Sequence, residues 1–314
     1  MSLLVVDKPR GPTSFAVVKR VRALLGKRRE KVGHGGTLDP FASGVLLICI
    51  GEGTKILPFL LDADKSYEAV VRFGVETDTL DVTGKVVAEH PVGDLSASAI
   101  EDAFASFRGP IEQIPPMYSA LKRDGRPLYA YARAGETIER AARKVTIHEL
   151  ELVAFEPPDR ARLMVRCSKG TYIRSLAADV GTRLGLGAHL VELRRTASGP
   201  FNLEQAITMD ELDARIADGR ALPMLSLLEA LAHLPKVNVD EAQALVLARG
   251  QRMEWSALSG DRDLFGPVCA VLDGPGGPSL VAMVAQAPEG WVKILRGLSP
   301  SPRVAGRGQG LGQG

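Results

Sequence analysis

The sequence is poor in cysteine. Cys49, Cys167 and Cys269 stand far apart in apolar surroundings, with no CxxC or Cys/His spacing between them. That argues against a structural zinc site, and an odd number of scattered thiols suits a reducing cytoplasm. Long apolar runs are missing as well; none reaches the roughly 18 residues of a membrane span. The opening Met1-Ser2-Leu3-Leu4-Val5-Val6 is followed at once by Asp7 and Lys8, with no small-residue cleavage site, and reads as a first strand rather than a signal peptide. There is no GxSxG elbow, which disfavours a serine hydrolase. No GxGxxG follows the first strand, and the glycine-rich stretch 33–44 lacks the GK[ST] ending of a phosphate loop. HExxH and EF-hand patterns are absent too. The expectation is a protein with no metal and no cofactor, whose chemistry is done by side chains.

What is present is a chain of 314 residues, enough for two domains. Its net charge is only +2, but the basic residues are grouped. Lys19, Arg20, Arg22, Lys27, Arg28, Arg29 and Lys31 form one cluster, and Lys122, Arg123, Arg126, Arg133, Arg140, Arg143 and Lys144 a second. Each is either a phosphate-contacting surface or a solvated face.

Hydrophobic periodicity outlines the elements. Residues 3–7 read as a strand. Thr13 or Ser14 caps a helix with Phe15, Val18, Val21 and Leu25 at helical spacing. Residues 32–44 read as a loop and 45–50 as a buried apolar run. A strand is expected over 66–73, a polar turn over 78–85, and a continuation of the sheet at Val86 and Val87. Ser96 caps a helix carrying Ile100, Ala103, Phe104 and Phe107. Strands follow at 145–155, 162–167 and 190–196, with helices at 171–184 and 209–231. After Pro235 short strands are broken by Gly/Pro pairs, and residues from Pro300 onward form a polar, glycine-rich tail.

Three constellations can carry chemistry. The first is Gly33-His34-Gly35-Gly36-Thr37-Leu38-Asp39-Pro40, where glycines let backbone approach a ligand closely. Pro40 keeps Asp39 out of the α region. Asp39 is either a presented carboxylate or a turn residue bonding its own backbone. In the second, Asp64-Lys65-Ser66-Tyr67, Tyr67 is either a strand aromatic or a platform for a stacked base. The third is Cys167-Ser168-Lys169-Gly170-Thr171-Tyr172-Ile173-Arg174, a glycine turn leading into a helix start. Arg174 is either a surface arginine or the cation that keeps a carboxylate ionised.

Taken together and in order, these segments resemble the bacterial tRNA pseudouridine synthase B (TruB) family, the enzymes of T-loop uridine 55. The resemblance runs from Leu4 to about Phe201. It includes Asp7-Lys8-Pro9, the Gly33–Leu46 stretch, Gly51-Glu52-Gly53-Thr54-Lys55, Asp64-Lys65-Ser66-Tyr67, Gly74 with Thr77-Asp78-Thr79 and Asp81, Gln113-Ile114-Pro115-Pro116-Met117-Tyr118, the Cys167–Arg174 segment and Gly187-Ala188-His189-Leu190-Val191-Glu192-Leu193-Arg194-Arg195.

The resemblance implies an activity and a set of roles. Asp39 is the catalytic carboxylate, either adding to the substrate or abstracting a ribose proton, while the base detaches, rotates and reattaches through carbon. Tyr67 stacks on the target base, Arg174 pairs with Asp39, and Tyr172 and Leu193 line the pocket. His34 displaces the uridine from its stack. Lys8, with Pro9, supports the catalytic loop and is grouped with Lys55, Lys122, Arg126 and Arg143 as RNA-contacting. The implied fold is α+β. Residues 1–234 form a catalytic domain with a mixed, largely antiparallel sheet and flanking helices, and 122–144 are an RNA-gripping insertion. Residues 235–298 form a small β-rich PUA-like domain, and 299–314 a disordered tail. The implied partner is the tRNA T arm, bound by a cytoplasmic monomer without membrane, guide RNA or protein partner. Two other readings stand beside this one: a tRNA-folding protein, whose action can also accompany catalysis, and a guide-RNA-dependent relative.

Overall fold

The computed structural model describes residues 2–26, 30–259 and 264–298. Lys27, Arg28 and Arg29 of the first basic cluster, and the tail expected over 299–314, lie outside the described residues. The chain divides into two compact units. One comprises Leu4–Ile48 and Pro58–Pro223; the other comprises Met1–Leu3, Cys49–Leu57 and Met224–Gly314.

The larger unit is built on a mixed, largely antiparallel sheet. Its order is Ile207–Thr208, Ser2–Lys8, Ser43–Ile50, Ala188–Ser198, Lys65–Phe73, Arg160–Cys167, Arg143–Glu156 and Gly109–Gln113. Lys65–Phe73 is central and runs antiparallel to both neighbours, which come from much later in the chain. Its two faces differ. Ala69, Val71 and Phe73 join Leu163, Val165, Ile147, Leu190 and the helix residues Leu176, Ala177 and Val180 in one core, while Glu68 on the opposite face is exposed. This is the alternation expected of a half-covered antiparallel sheet. The helix Ala97–Ala105 starts where Ser96 accepts from the Ala99 amide and buries Ile100, Ala103 and Phe104. The helix Ile173–Arg183 packs on the same core through Ile173, Leu176, Ala177 and Val180.

Several elements differ from the sequence expectation. Thr13 caps the helix Ser14–Leu24, yet Val17, Val18 and Val21 face inward while Phe15 is exposed beneath Lys19. Val32–Gly35 is a short strand paired with Ser43–Ile50, not loop. Val86–Glu89 pairs with Val75–Thr77 in a separate two-stranded sheet rather than extending the main one. The single helix expected over 209–231 is two. Met209–Ala217 ends where Gly219 turns at φ 65°, and Ser226 opens Leu227–Ala230 with a capping box to Glu229.

The other unit has a four-stranded sheet in the order Lys236–Val239, Val268–Gly274, Gly277–Gln286 and Val292–Gly297. Val237, Val239, Leu247, Trp255, Val268, Ala270 and Val284 form its core. Among the described residues no helix is long and apolar enough to cross a membrane.

Candidate active site

The glycine-rich segment is held from below. Ser14 Oγ donates to the Leu38 carbonyl (3.0 Å) and accepts from the Leu38 amide (2.8 Å). The Gly11 amide donates to the Pro40 carbonyl at 2.7 Å. Lys8 is completely buried; its Nζ donates to the carbonyls of Ala42 (2.7 Å), Pro9 (2.9 Å) and Pro40 (3.5 Å). Leu38, Phe41 and Ala42 are pulled into the core. The turn at Asp39 is closed by main chain, the Ala42 amide donating to the Asp39 carbonyl at 3.1 Å. The Asp39 side chain is therefore not spent on the turn. It faces a cavity of about 340 Å³, inside the range of small-molecule sites.

Beside Asp39 stands Arg174, in the first turn of the helix Ile173–Arg183 and almost wholly buried. Its Nε lies 2.9 Å from Asp39 Oδ2 and its Nη1 3.5 Å from Asp81 Oδ2. Nη1 also donates to the Thr79 carbonyl (2.9 Å) and Nη2 to the Tyr118 carbonyl (2.7 Å). Contacts at all three nitrogens hold the planar fork in this orientation. Asp81 is fixed in turn through Oδ1, which accepts from Thr79 Oγ1 at 2.9 Å and from the Thr83 amide at 2.9 Å. Next to Arg174, Gln113 clamps Tyr172: Oε1 accepts from its amide (2.8 Å) and Nε2 donates to its carbonyl (3.1 Å).

Opposing effects act on the Asp39 carboxyl. Burial pushes its pKa above the ordinary carboxylate range; the Arg174 guanidinium opposes this, and the Asp81 charge adds to it. The side wall comes from the central strands. Tyr67 pairs across the sheet with Arg195, and both line the cavity with Leu193 and Lys65. Burial raises the Tyr67 phenol, which keeps it protonated at neutral pH, while Arg195 pulls in the other direction. Gly44 pairs with Arg195 at φ 107°, and a Cβ there would run into the Arg195 main chain, so this crossing requires glycine.

Residues 22–173 match the family described as TruB family pseudouridylate synthase (N terminal domain), and residues 174–231 match the tRNA pseudouridylate synthase B C-terminal domain. The chain belongs to the TruB family. It is 53% identical over 250 residues to the tRNA pseudouridine synthase B of Aromatoleum aromaticum, spanning 79% of this chain and 80% of that protein. With the enzyme of the same name from Pseudomonas aeruginosa it shares 51% over 253 residues, 79% of this chain and 82% of the relative. Among solved structures, one described as a Cbf5-Nop10-Gar1 complex contains a chain with TM-score 0.69 and 30% identity, covering 91% of this chain and 78% of that one. An H/ACA RNP bound to a substrate RNA containing 2'-deoxyuridine gives TM-score 0.66 and 28% identity, covering the same shares.

The structure brings Asp39, Tyr67, Tyr172, Arg174 and Leu193 of this TruB-family chain to one cavity. The other expected residues lie elsewhere. Lys8 cannot reach RNA, because it is fully buried on main-chain carbonyls, so only its loop-supporting role is compatible with its position. His34 sits on the strand Val32–Gly35 outside the cavity lining, with Nδ1 buried. Burial and Arg195 lower its pKa, which leaves the ring neutral. Lys55 belongs to the other unit, where it pairs with Glu52 and donates to the Gly297 carbonyl at 3.2 Å. Lys122, Arg126 and Arg143 are exposed; Arg126 stacks on Tyr131, 4.2 Å from the ring centre. Sequence reasoning missed Asp81, Lys65 and Arg195 as site residues. All three stood inside the family-like segments without a role, and a period-2 reading of the strands around Tyr67 and Leu193 places Lys65 and Arg195 each on the same face as a cavity residue.

Proposed function

We propose that this chain isomerises the T-loop uridine at position 55 of tRNA to pseudouridine, with Asp39 as the catalytic carboxylate. The observation that carries the reading is the Arg174–Asp39 pair, 2.9 Å apart at a cavity that Tyr67 and Leu193 also line. The reaction breaks the C1′–N1 bond, forms C1′–C5, removes the C5 proton and places a proton on N1. Atoms are conserved, so side chains in a closed pocket suffice. The target uridine must leave its stack to enter, at a cost of about a few kcal/mol, and stacking on Tyr67 offsets part of that. The T arm is gripped by exposed Lys122, Arg126 and Arg143 of the 122–144 insertion, with the PUA-like segment 235–298 as a second RNA contact. The protein works in the cytoplasm as a monomer, without guide RNA or partner protein.

The test is incubation of wild type and Asp39→Asn with unmodified tRNA transcript alone, followed by pseudouridine mapping. Wild type modifies the T-loop uridine and the variant leaves it unmodified. Equal modification by the variant would remove Asp39 from its role. Tight binding without modification would instead favour a tRNA-folding protein, and modification only after adding another RNA or protein would end the guide-independent reading.

A further inference from the structure

The cavity wall holds more buried positive charge than Asp39 uses. Arg174 is committed to Asp39, Asp81 and two carbonyls, and exposed Lys169 pairs with Asp62. That leaves Arg195 and Lys65, which line the cavity at 2% and 8% exposure. Neither pairs with a carboxylate among the described residues. Arg195 Nε donates to the Val45 carbonyl (2.7 Å) and Nη2 to the Gly36 carbonyl (3.1 Å). Lys65 Nζ donates to the carbonyls of Leu61 (2.6 Å) and Ala63. The neighbouring Asp64 turns its carboxylate to His148 (3.2 Å) and Arg166 (3.4 Å). Both cations adjoin Tyr67: Arg195 is its cross-strand partner, and Lys65 precedes it by two residues on the same strand face.

Arg195 also hydrogen-bonds the Tyr67 phenol, and burying two cations with no carboxylate against them costs free energy that an apolar residue of similar shape would not. Resting on the reading that this site isomerises uridine, we propose that Arg195 and Lys65 stabilise the uracil ring as an anion while it is detached from the ribose. When C1′–N1 breaks, its electron pair moves onto the ring and spreads over N1, O2 and O4. The pair returns through C5 as C1′–C5 forms; the C5 proton departs and N1 takes one up, so no co-reactant is needed. Charges fixed in place before the reaction are the arrangement in which electrostatic stabilisation is strongest. Burial and Arg195 bring Lys65 down to about 8, which leaves it protonated at neutral pH.

The test uses the leaving group. Two tRNA transcripts carry uridine or 5-fluorouridine at the target, the fluorine making the base anion more stable. Consumption of the N-linked nucleoside is followed in single turnovers with wild type, Lys65→Met and Arg195→Met. Lys65→Gln and Arg195→Gln serve as neutral replacements that keep a donor to the carbonyls if the methionine variants fail to fold. Each neutral variant slows uridine by about 100-fold, the scale of losing one preorganised donor, and 5-fluorouridine by about 10-fold or less. Equal slowing of both substrates would overturn the proposal and make the two residues structural supports. Wild type consuming neither nucleoside would instead overturn the reading of the site as a uridine isomerase.

Discussion

In the proposed reaction Asp39 works only as an anion, whether it adds to the substrate or takes a proton from it, and its neighbours act on that charge in opposite directions. Burial and Asp81 favour the neutral acid, while Arg174 favours the carboxylate. Turnover by wild type therefore falls as pH drops, with a midpoint above the ordinary aspartate value of about 3.9. Arg174→Met removes the attraction, raises the carboxyl further and moves the midpoint upward, beside a lower plateau. Single-turnover rates across pH measure this; an unmoved midpoint would mean that Arg174 does not control the charge. At this scale the site is partly legible in sequence. Local glycine, proline and helix-start signals leave Asp39, Tyr67 and Arg174 with two readings each, and their order along the chain, shared with the family, singles them out. Asp81 belongs to a family-like segment but gains no role from it, because its importance lies in a 3.5 Å approach to a residue far along the chain, which no local pattern encodes. The resemblance groups Lys8 with the RNA-contacting residues; in the fold, burial pushes its pKa down to about 8, with Asp39 opposing and Arg195 adding.

Among elements, the strand crossing at Gly44 sets the geometry of the loop. Gly44→Ala adds strain at φ 107° and a collision with the Arg195 main chain, at a cost of about 3 kcal/mol or more. Gly11→Ala, also at positive φ (104°) but with open space around it, costs only about 1–2 kcal/mol. Urea denaturation of both variants checks the difference, and equal losses would show that the close approach is unimportant. The elements themselves are legible where one face is apolar over several turns, as in Ala97–Ala105 and Ile173–Arg183. They are obscured where periodicity runs through a breaker. Met209–Ala217 and Leu227–Ala230 look like one helix because leucine and alanine continue past Gly219 and Pro223, and it is the turn signal of those two residues that prevails. Phe15 fits the helical spacing, but the caps of Ser14–Leu24 rotate the buried stripe onto Val17, Val18 and Val21.

For the molecule as a whole, a net charge of +2 gives no general attraction for nucleic acid, so binding rests on where the basic residues stand. Lys122, Arg126 and Arg143 are exposed and outside the cavity lining. Replacing any one with alanine raises the tRNA KM and leaves the saturated rate within about twofold. It also lowers the slope of log binding constant against log salt by about 0.7–0.9 for each phosphate that is no longer neutralised. An unchanged salt slope for all three variants would place the RNA elsewhere.

The central strand Lys65–Phe73 lies between Arg160–Cys167 and Ala188–Ser198. During synthesis, the segment bearing Asp39 and Tyr67 leaves the ribosome long before the strands that flank it, and such distant pairings close slowly. Arg174 lies in the chain between those two flanking strands, so it too is made long after Asp39. A nascent chain therefore carries its carboxylate without the partner that holds it charged, and nothing it touches can be modified until Ser198 has emerged. Appearance of modified RNA during translation thus times the closing of the sheet.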